Sequence, residues 1–181
     1  FHGDTAHAVR GLATFHVGND LAGTYKLLAS TPGVGPDSSA AYVVSIGPAT
    51  QVHIIAGSVL TGNPGDTTDI RPSVQVTDEG GNAVPGASVT WTVDQGGGVV
   101  INPAAITQAA PALTLAADAN GRSTVLWGLG STTHQSLHAN LTGGGADTAY
   151  FSLTIAAPAQ QLAFTNAFND TYASGTHVPL V

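Results

Sequence analysis

Gly121-Arg122-Ser123-Thr124-Val125-Leu126-Trp127-Gly128 repeats, about 110 residues downstream, the pattern of an earlier stretch, Gly11-Leu12-Ala13-Thr14-Phe15-His16-Val17-Gly18. Glycines bracket both stretches, Thr14 and Thr124 coincide, and Phe15 and Val17 alternate as Val125 and Trp127 do. A second pair, Gly47-Pro48-Ala49-Thr50-Gln51-Val52 and Ala157-Pro158-Ala159-Gln160-Gln161-Leu162, stands at nearly the same offset. Alternation of this kind reads as a half-buried strand, and the period is the size of one small β-sandwich domain. The chain therefore reads as a slice of a tandem array, all-β, built of antiparallel sandwiches.

The repeat divides the chain into three parts. Residues 1–48 correspond to the C-terminal half of one unit, 49–157 to a complete sandwich, and 158–181 to the first strands of a following unit. Val178-Pro179-Leu180-Val181 resembles Arg71-Pro72-Ser73-Val74, so the third unit breaks off inside a strand. Neither flank contains an equivalent of the segment from about Gln75 to Ala110. Either the chain is part of a longer polypeptide, or each end pairs with a neighbouring molecule. The first is preferred, because an unpaired half-sandwich exposes sheet edges and an apolar face.

The strands announce themselves by period-two alternation bounded by Gly, Pro, Asn and Asp. Ile70, Pro72, Val74 and Val76 form one such set, and Val89, Trp91 and Val93 a second. Val125, Trp127 and Leu129 form a third, followed by Leu137, Ala139 and Leu141, then Phe151, Leu153 and Ile155. From these come the expected core residues: Val74, Val76, Val89, Trp91, Val125, Trp127 and Phe151. The two indoles are expected to meet there. Turn clusters separate the strands at 78–82, 118–121 and 142–147. The Ala-rich stretch from Asn102 to Ala110 shows no alternation and carries Pro103, so it is expected to be a loop with one helical turn. The short Pro-containing linkers Ile46-Gly47-Pro48-Ala49-Thr50 and Ile155-Ala156-Ala157-Pro158-Ala159-Gln160 predict limited bending between units.

Composition narrows the function. Charged residues make up 8 % of the chain against a usual ~25 %, while 43 % of residues are hydrophobic. That excludes the disordered class, which needs low hydrophobicity and high net charge. The net charge is -7, and the four basic residues, Arg10, Lys26, Arg71 and Arg122, are scattered, which excludes a nucleic-acid-binding stripe. No apolar run is long enough to span a bilayer as a helix. The absence of Cys removes disulfides and thiolate metal sites. Low Lys and Glu, high Thr, Gly and Asn, and the repeat together point outside a prokaryotic cell.

The stretch Val76-Thr77-Asp78-Glu79-Gly80-Gly81-Asn82-Ala83-Val84-Pro85-Gly86-Ala87-Ser88-Val89-Thr90-Trp91 resembles the signature of bacterial immunoglobulin-like domains of the invasin and intimin type. In that family a strand ends in Asp, turns through Gly-Asn, and runs through Val-Pro-Gly into an alternating strand. Ala117-Asp118-Ala119-Asn120-Gly121-Arg122-Ser123-Thr124-Val125 resembles the family's second hallmark, Asp-x-x-Gly before an alternating strand. The resemblance covers the central unit in full and the flanks in part. It implies extracellular display, often as a spacer that holds a terminal binding domain away from the cell. Independently of it, Asp78 and Asn82 are suited to cap the amides of their own turn, Pro85 and Gly86 to make a tight corner, and Asp118 and Gly121 to make another.

Chemistry is sparse. His2, His7, His16, His53, His134, His138 and His177 are scattered, and on a strand His134 and His138 stand about 13 Å apart, too far for one ion. Asp66, Asp69, Asp78, Glu79 and Asp118 read as turn caps; the alternative is a calcium site assembled between domains. Gly96-Gly97-Gly98 lacks the Lys-Ser/Thr of a phosphate loop, no Gly-x-Ser-x-Gly elbow occurs, and Glu79 is the single Glu. Asn140-Leu141-Thr142 and Asn169-Asp170-Thr171 match the glycosylation acceptor pattern. The expectation is a non-enzymatic, structural or adhesive repeat of an extracellular stalk, adhesin shaft or fibre without a cofactor, partnered by neighbouring repeats of the same or adjoining chains. The alternatives are a glycan- or protein-binding module using aromatics such as Tyr25 and Tyr150, and a filament subunit that assembles by strand addition.

Overall fold

The computed structural model describes residues 5–143 and 147–155. The third-unit segment 158–181, with His177 and Asn169, lies outside the described residues, as does His2. Among the described residues every regular element is a strand, and no helix is long and apolar enough to cross a membrane.

The flank contributes β1 (Gly23–Tyr25), β2 (Leu28–Thr31), β3 (Val34–Ser38) and β4 (Tyr42–Val44). The central unit contributes β5 (Gln51–Ala56), β6 (Ser73–Thr77), β7 (Ser88–Gln95), β8 (Val99–Asn102) and β9 (Ala105–Ala110). It continues with β10 (Ala112–Ala116), β11 (Arg122–Thr124), β12 (Leu126–Gly128), β13 (His134–Leu141) and β14 (Thr148–Thr154). One sheet has the order β10-β7-β13-β14; it is faced by two three-stranded sheets, β11-β6-β5 and β12-β8-β9. All pairings are antiparallel. The two layers make a β-sandwich.

Burial follows the alternation. In β13, Gln135, Leu137, Ala139 and Leu141 are buried while His134, Ser136, His138 and Asn140 face out. Val74, Val76, Val89, Trp91, Val125 and Trp127 are fully buried, and Phe151 is nearly so. Each Trp contributes about 2–3 kcal/mol by leaving water. The aromatic partner of Trp91 is Phe151, at 5.6 Å between ring centres, not Trp127. The reason lies in the register: Trp91 on β7 and Phe151 on β14 flank β13 where Ala139 stands opposite Trp91, and the small Ala leaves the rings room to touch. Trp91 Nε1 donates to Ser123 Oγ across the sandwich at 3.0 Å, a buried bond that ties the layers together. Trp127 lies on β12 in the opposite layer, and its buried Nε1 finds no acceptor among the described residues.

Three local expectations are corrected. Asn102–Ala110 is a hairpin of β8 and β9, not a loop with a helical turn. Pro103 starts the reversal, Asn102 Oδ1 accepts from Ala104 N at 3.0 Å, and Asn102 Nδ2 reaches Gln108 Oε1 at 2.8 Å. β9 is an edge strand in which Ile106 is exposed, so nothing forces an alternating pattern on its alanines. Ile70 is half out of the core, because the ladder starts only at Ser73, after Pro72, which has no amide to donate. The stretch expected as one strand through Val125 is two: Arg122–Thr124 pairs with β6 and Leu126–Gly128 with β8. Between them Val125 N donates to Pro72 O at 3.1 Å, and the chain passes from one three-stranded sheet to the other.

In the flank, β1 pairs with β4 and β2 with β3, making one long antiparallel ribbon. Its large apolar residues Leu28, Val34 and Val43 are exposed. Leu153, which the repeat offset matches to Val43, is buried.

Candidate functional site

The turn that follows β6 is closed by its own side chains. Asp78 N donates to Asn82 O and Gly81 N to Asp78 O. Asn82 N and Nδ2 donate to Asp78 Oδ1 at 2.8 and 3.0 Å, and Nδ2 also lies 2.9 Å from Asp78 Oδ2. Gly81 takes φ of +82°, the left-handed conformation that glycine adopts without strain. Val84 N then returns to Val76 O, and Pro85-Gly86 swings the chain into β7, with Gly86 N donating to Ala117 O.

The second turn motif lies beside the first. Asp118 Oδ1 accepts from Asn120 N at 2.8 Å and Arg122 N at 2.9 Å. Gly121 O accepts from Val76 N at 2.7 Å. A Cβ on Gly121 would fall 2.7 Å from Val76 O and 3.0 Å from Val84 N, so only glycine lets the two turns close on one strand. Asp78, Asn82, Pro85, Gly86, Asp118 and Gly121 thus sit at one pole of the sandwich.

The flank docks on this pole. Gly47 N donates to Asp78 Oδ2 at 2.7 Å, Ala22 N to Asn82 Oδ1 at 2.8 Å, and Asn82 Nδ2 to Asp20 O at 2.7 Å. Both strands are therefore held at the base of the flank ribbon, since Ala22 precedes β1, Gly47 follows β4, and Gly23 pairs with Val44. Gly80 permits the approach, because a Cβ there would overlap Asp20 O. Thr50 N donates to Thr77 O, which lays the linker along the end of β6. Asp78 is 4 % exposed. The Asn82 side chain and then the Gly47 amide hold its carboxyl below the usual carboxylate range, against the opposing pull of burial. Asn19, Asp20, Ser45, Pro48 and Glu79 rim an open cleft at this joint.

Asp69 and Asp118 cap their own turns in the same way, whereas Glu79, expected as a cap, stands on the rim of the cleft. Asp69 accepts from Thr61 N, Thr61 Oγ1 and Ile70 N, which lowers its pKa, the Thr61 hydroxyl contributing most. Asp118 is lowered chiefly by the Arg122 and Asn120 amides. Among the described residues no group of three or more His, Asp or Glu could hold a metal ion. His134 and His138 share the outward face of β13, and His138 Nδ1 is 2.8 Å from Asp94 Oδ1. His53 lies against Gln51 and Thr77, while His7 and His16 are exposed.

The opposite pole closes on glycine. Gln135, 2 % exposed, accepts from Gly130 N and donates to Thr132 O at 2.7 Å. A Cβ on Gly96 would overlap the Gln135 amide, one on Gly130 would overlap Gly96 O, and one on Gly98 would overlap Gly128 O. The Gly96-Gly97-Gly98 run is thus where two loops pass backbone to backbone. β5 starts at the Asp78 pole, where Gln51 faces Thr77, and β14 ends at this one, where Ile155 N donates to Thr133 O.

Sequence reasoning found Asp78 and Asn82 but not their partners Asp20, Ala22 and Gly47, nor Gly80, Ser123 and Gln135. Gly47-Pro48 at a unit boundary was the available signal; two backbone carbonyl and amide contacts leave none.

No family model matches the chain, and no curated protein matches it. Among solved structures it is similar to a β-glucuronidase of Parabacteroides merdae, with 15 % identity and a TM-score of 0.41 over 67 % of this chain and 14 % of that one. It is similar also to a glycosyl hydrolase family 2 member from Bacteroides cellulosilyticus, with 17 % identity and a TM-score of 0.41 over 74 % of this chain and 18 % of that one. The chain spans less than a fifth of either enzyme, and the likeness carries no argument about activity.

Proposed function

We propose that the chain is a non-catalytic segment of a tandem array, a β-sandwich spacer of the bacterial immunoglobulin-like, invasin and intimin type, serving an extracellular stalk, adhesin shaft or fibre of a prokaryote. The unit boundaries fall at 48/49 and 157/158. The observation that carries this reading is the joint: Asp78 and Asn82 spend their capping groups on Gly47, Ala22 and Asp20 of the preceding segment as well as on their own turn. A loop that needed only to reverse the chain would not need a near-buried carboxylate facing another segment. Such a joint fixes the angle between consecutive units, which is what a spacer requires.

The test is the tumbling of the flank. In 15N relaxation of the full chain, residues 20–47 are expected to share the rotational correlation time of the sandwich, and Gly80→Ala to uncouple them while leaving the sandwich stability within about 0.5 kcal/mol. Independent tumbling in the unmodified chain would sink the reading. The exposed Leu28, Val34 and Val43 favour one runner-up, a subunit whose flank is covered by a neighbouring molecule. A mass that rises with concentration in a dilution series distinguishes it.

A further inference from the structure

The outward face of the β10-β7-β13-β14 sheet has a chemistry that a spacer does not require. Thr90 Oγ1 bonds Thr114 Oγ1 at 2.9 Å and Thr142 Oγ1 at 2.7 Å, a hydroxyl ladder across three neighbouring segments. The next row sets Thr92, His138 and Tyr150 side by side on β7, β13 and β14. Tyr150 is 70 % exposed, with its ring centre 6.0 Å from that of His138. The β7–β13 register shifts between Ser136 and Leu137, and beside this bulge Asp94 meets His138 Nδ1 at 2.8 Å. Bulges re-aim side chains in this way. The rest of the face is His134, two residues before Ser136 on the same side, and small side chains such as Ser88, Asn140 and Ser152, with no Lys or Arg and no aliphatic side chain larger than Ala.

We propose that the row Thr92–His138–Tyr150, with Asp94, binds a neutral saccharide. A pyranose has one apolar C–H face and a rim of hydroxyls. The exposed Tyr150 ring offers the first a flat apolar partner, and the Asp94–His138 pair and the Thr92 hydroxyl offer the second both acceptors and donors. A polyanion would meet Asp94 and a chain of 11 acids against 4 basic residues, with no Lys or Arg on the face. An apolar peptide would find a single ring among hydroxyls. The ordered hydroxyl ladder beside the row leaves little entropy to lose when a ligand settles. This site is independent of the joint, and a chain that fails to bind sugar remains a spacer.

The experiment is a titration of the 15N-labelled full chain with neutral oligomers of glucose, xylose and N-acetylglucosamine, each followed by amide shifts. Saturable shifts centred on Thr92, Asp94, His138 and Tyr150 are expected for at least one series. Tyr150→Ala should weaken that binding at least about tenfold, the loss of one stacked ring, while Tyr150→Phe should retain it. His138→Gln serves as a second probe from inside the row, with a several-fold loss expected. Unchanged indole signals of Trp91 and Trp127 show that each variant is folded. Absence of shifts with every series, shifts centred elsewhere, or equal affinity in Tyr150→Ala would each overturn the proposal.

Discussion

At one pole of the sandwich a carboxylate and a carboxamide close the turn; at the other, glycines pack backbone on backbone around Gln135. Asp78 and Asn82 have more bonding capacity than their own turn uses, so the surplus reaches Gly47, Ala22 and Asp20. Gly96, Gly98 and Gly130 have no side chain to offer and satisfy only their own unit. The difference teaches that the first pole is built to be met by another segment and the second to be filled from within. It also sets what each tolerates. Gly96, Gly98 and Gly130 leave no room for a methyl group at the one pole; the other excludes a methyl group at Gly121 as well, and depends in addition on ionisation.

Gly130→Ala should show the largest effect, because the new Cβ overlaps Gly96 O and neither backbone can yield alone. About 3 kcal/mol or more of stability should be lost in urea unfolding, with the flank joint unchanged. Asp78→Ala should cost about 1–2 kcal/mol by leaving the part-buried Asn82 and Gly47 amides without their acceptor, and should also raise amide exchange at Gly47. Equal losses in flank and sandwich for both variants would erase the contrast between poles.

Acid sharpens the contrast further. Asp78 and Asp118 have folded-state pKa values below the unfolded carboxylate value of about 3.9. The unfolded chain therefore binds protons first as pH falls. The stabilisation is complete above that value and is lost as pH drops through the folded-state values. Amide exchange should accelerate at 78–86 and at Gly47 before it does around Gln135, where an uncharged amide and not a carboxylate bonds Gly130 N and Thr132 O. Simultaneous loss at both poles would contradict this.

Alternation made the sandwich legible: Val74, Val89, Trp91, Val125 and Leu137 each declare a buried face by spacing alone. The turn caps were legible because Asp, Asn and Gly act on neighbours a few residues away. What stayed hidden was set by distant partners. β9 lies at an edge where no face is forced to be apolar, so its alanines carried no signal. The switch at Val125 depends on where Pro72 places its carbonyl, some fifty residues back. The joint runs through main-chain atoms of Asp20, Ala22 and Gly47, which every residue but proline possesses.

The chain enters the sandwich at the Asp78 pole, along β5, and leaves from the opposite pole, at the end of β14. Tension transmitted along an array would therefore pull parallel to the strands. Hydrogen bonds that lie across the strands are then loaded together in shear, and none can be peeled open ahead of the rest. Under load the lifetime of the unit is set by the rate of that concerted rupture, not by its equilibrium stability.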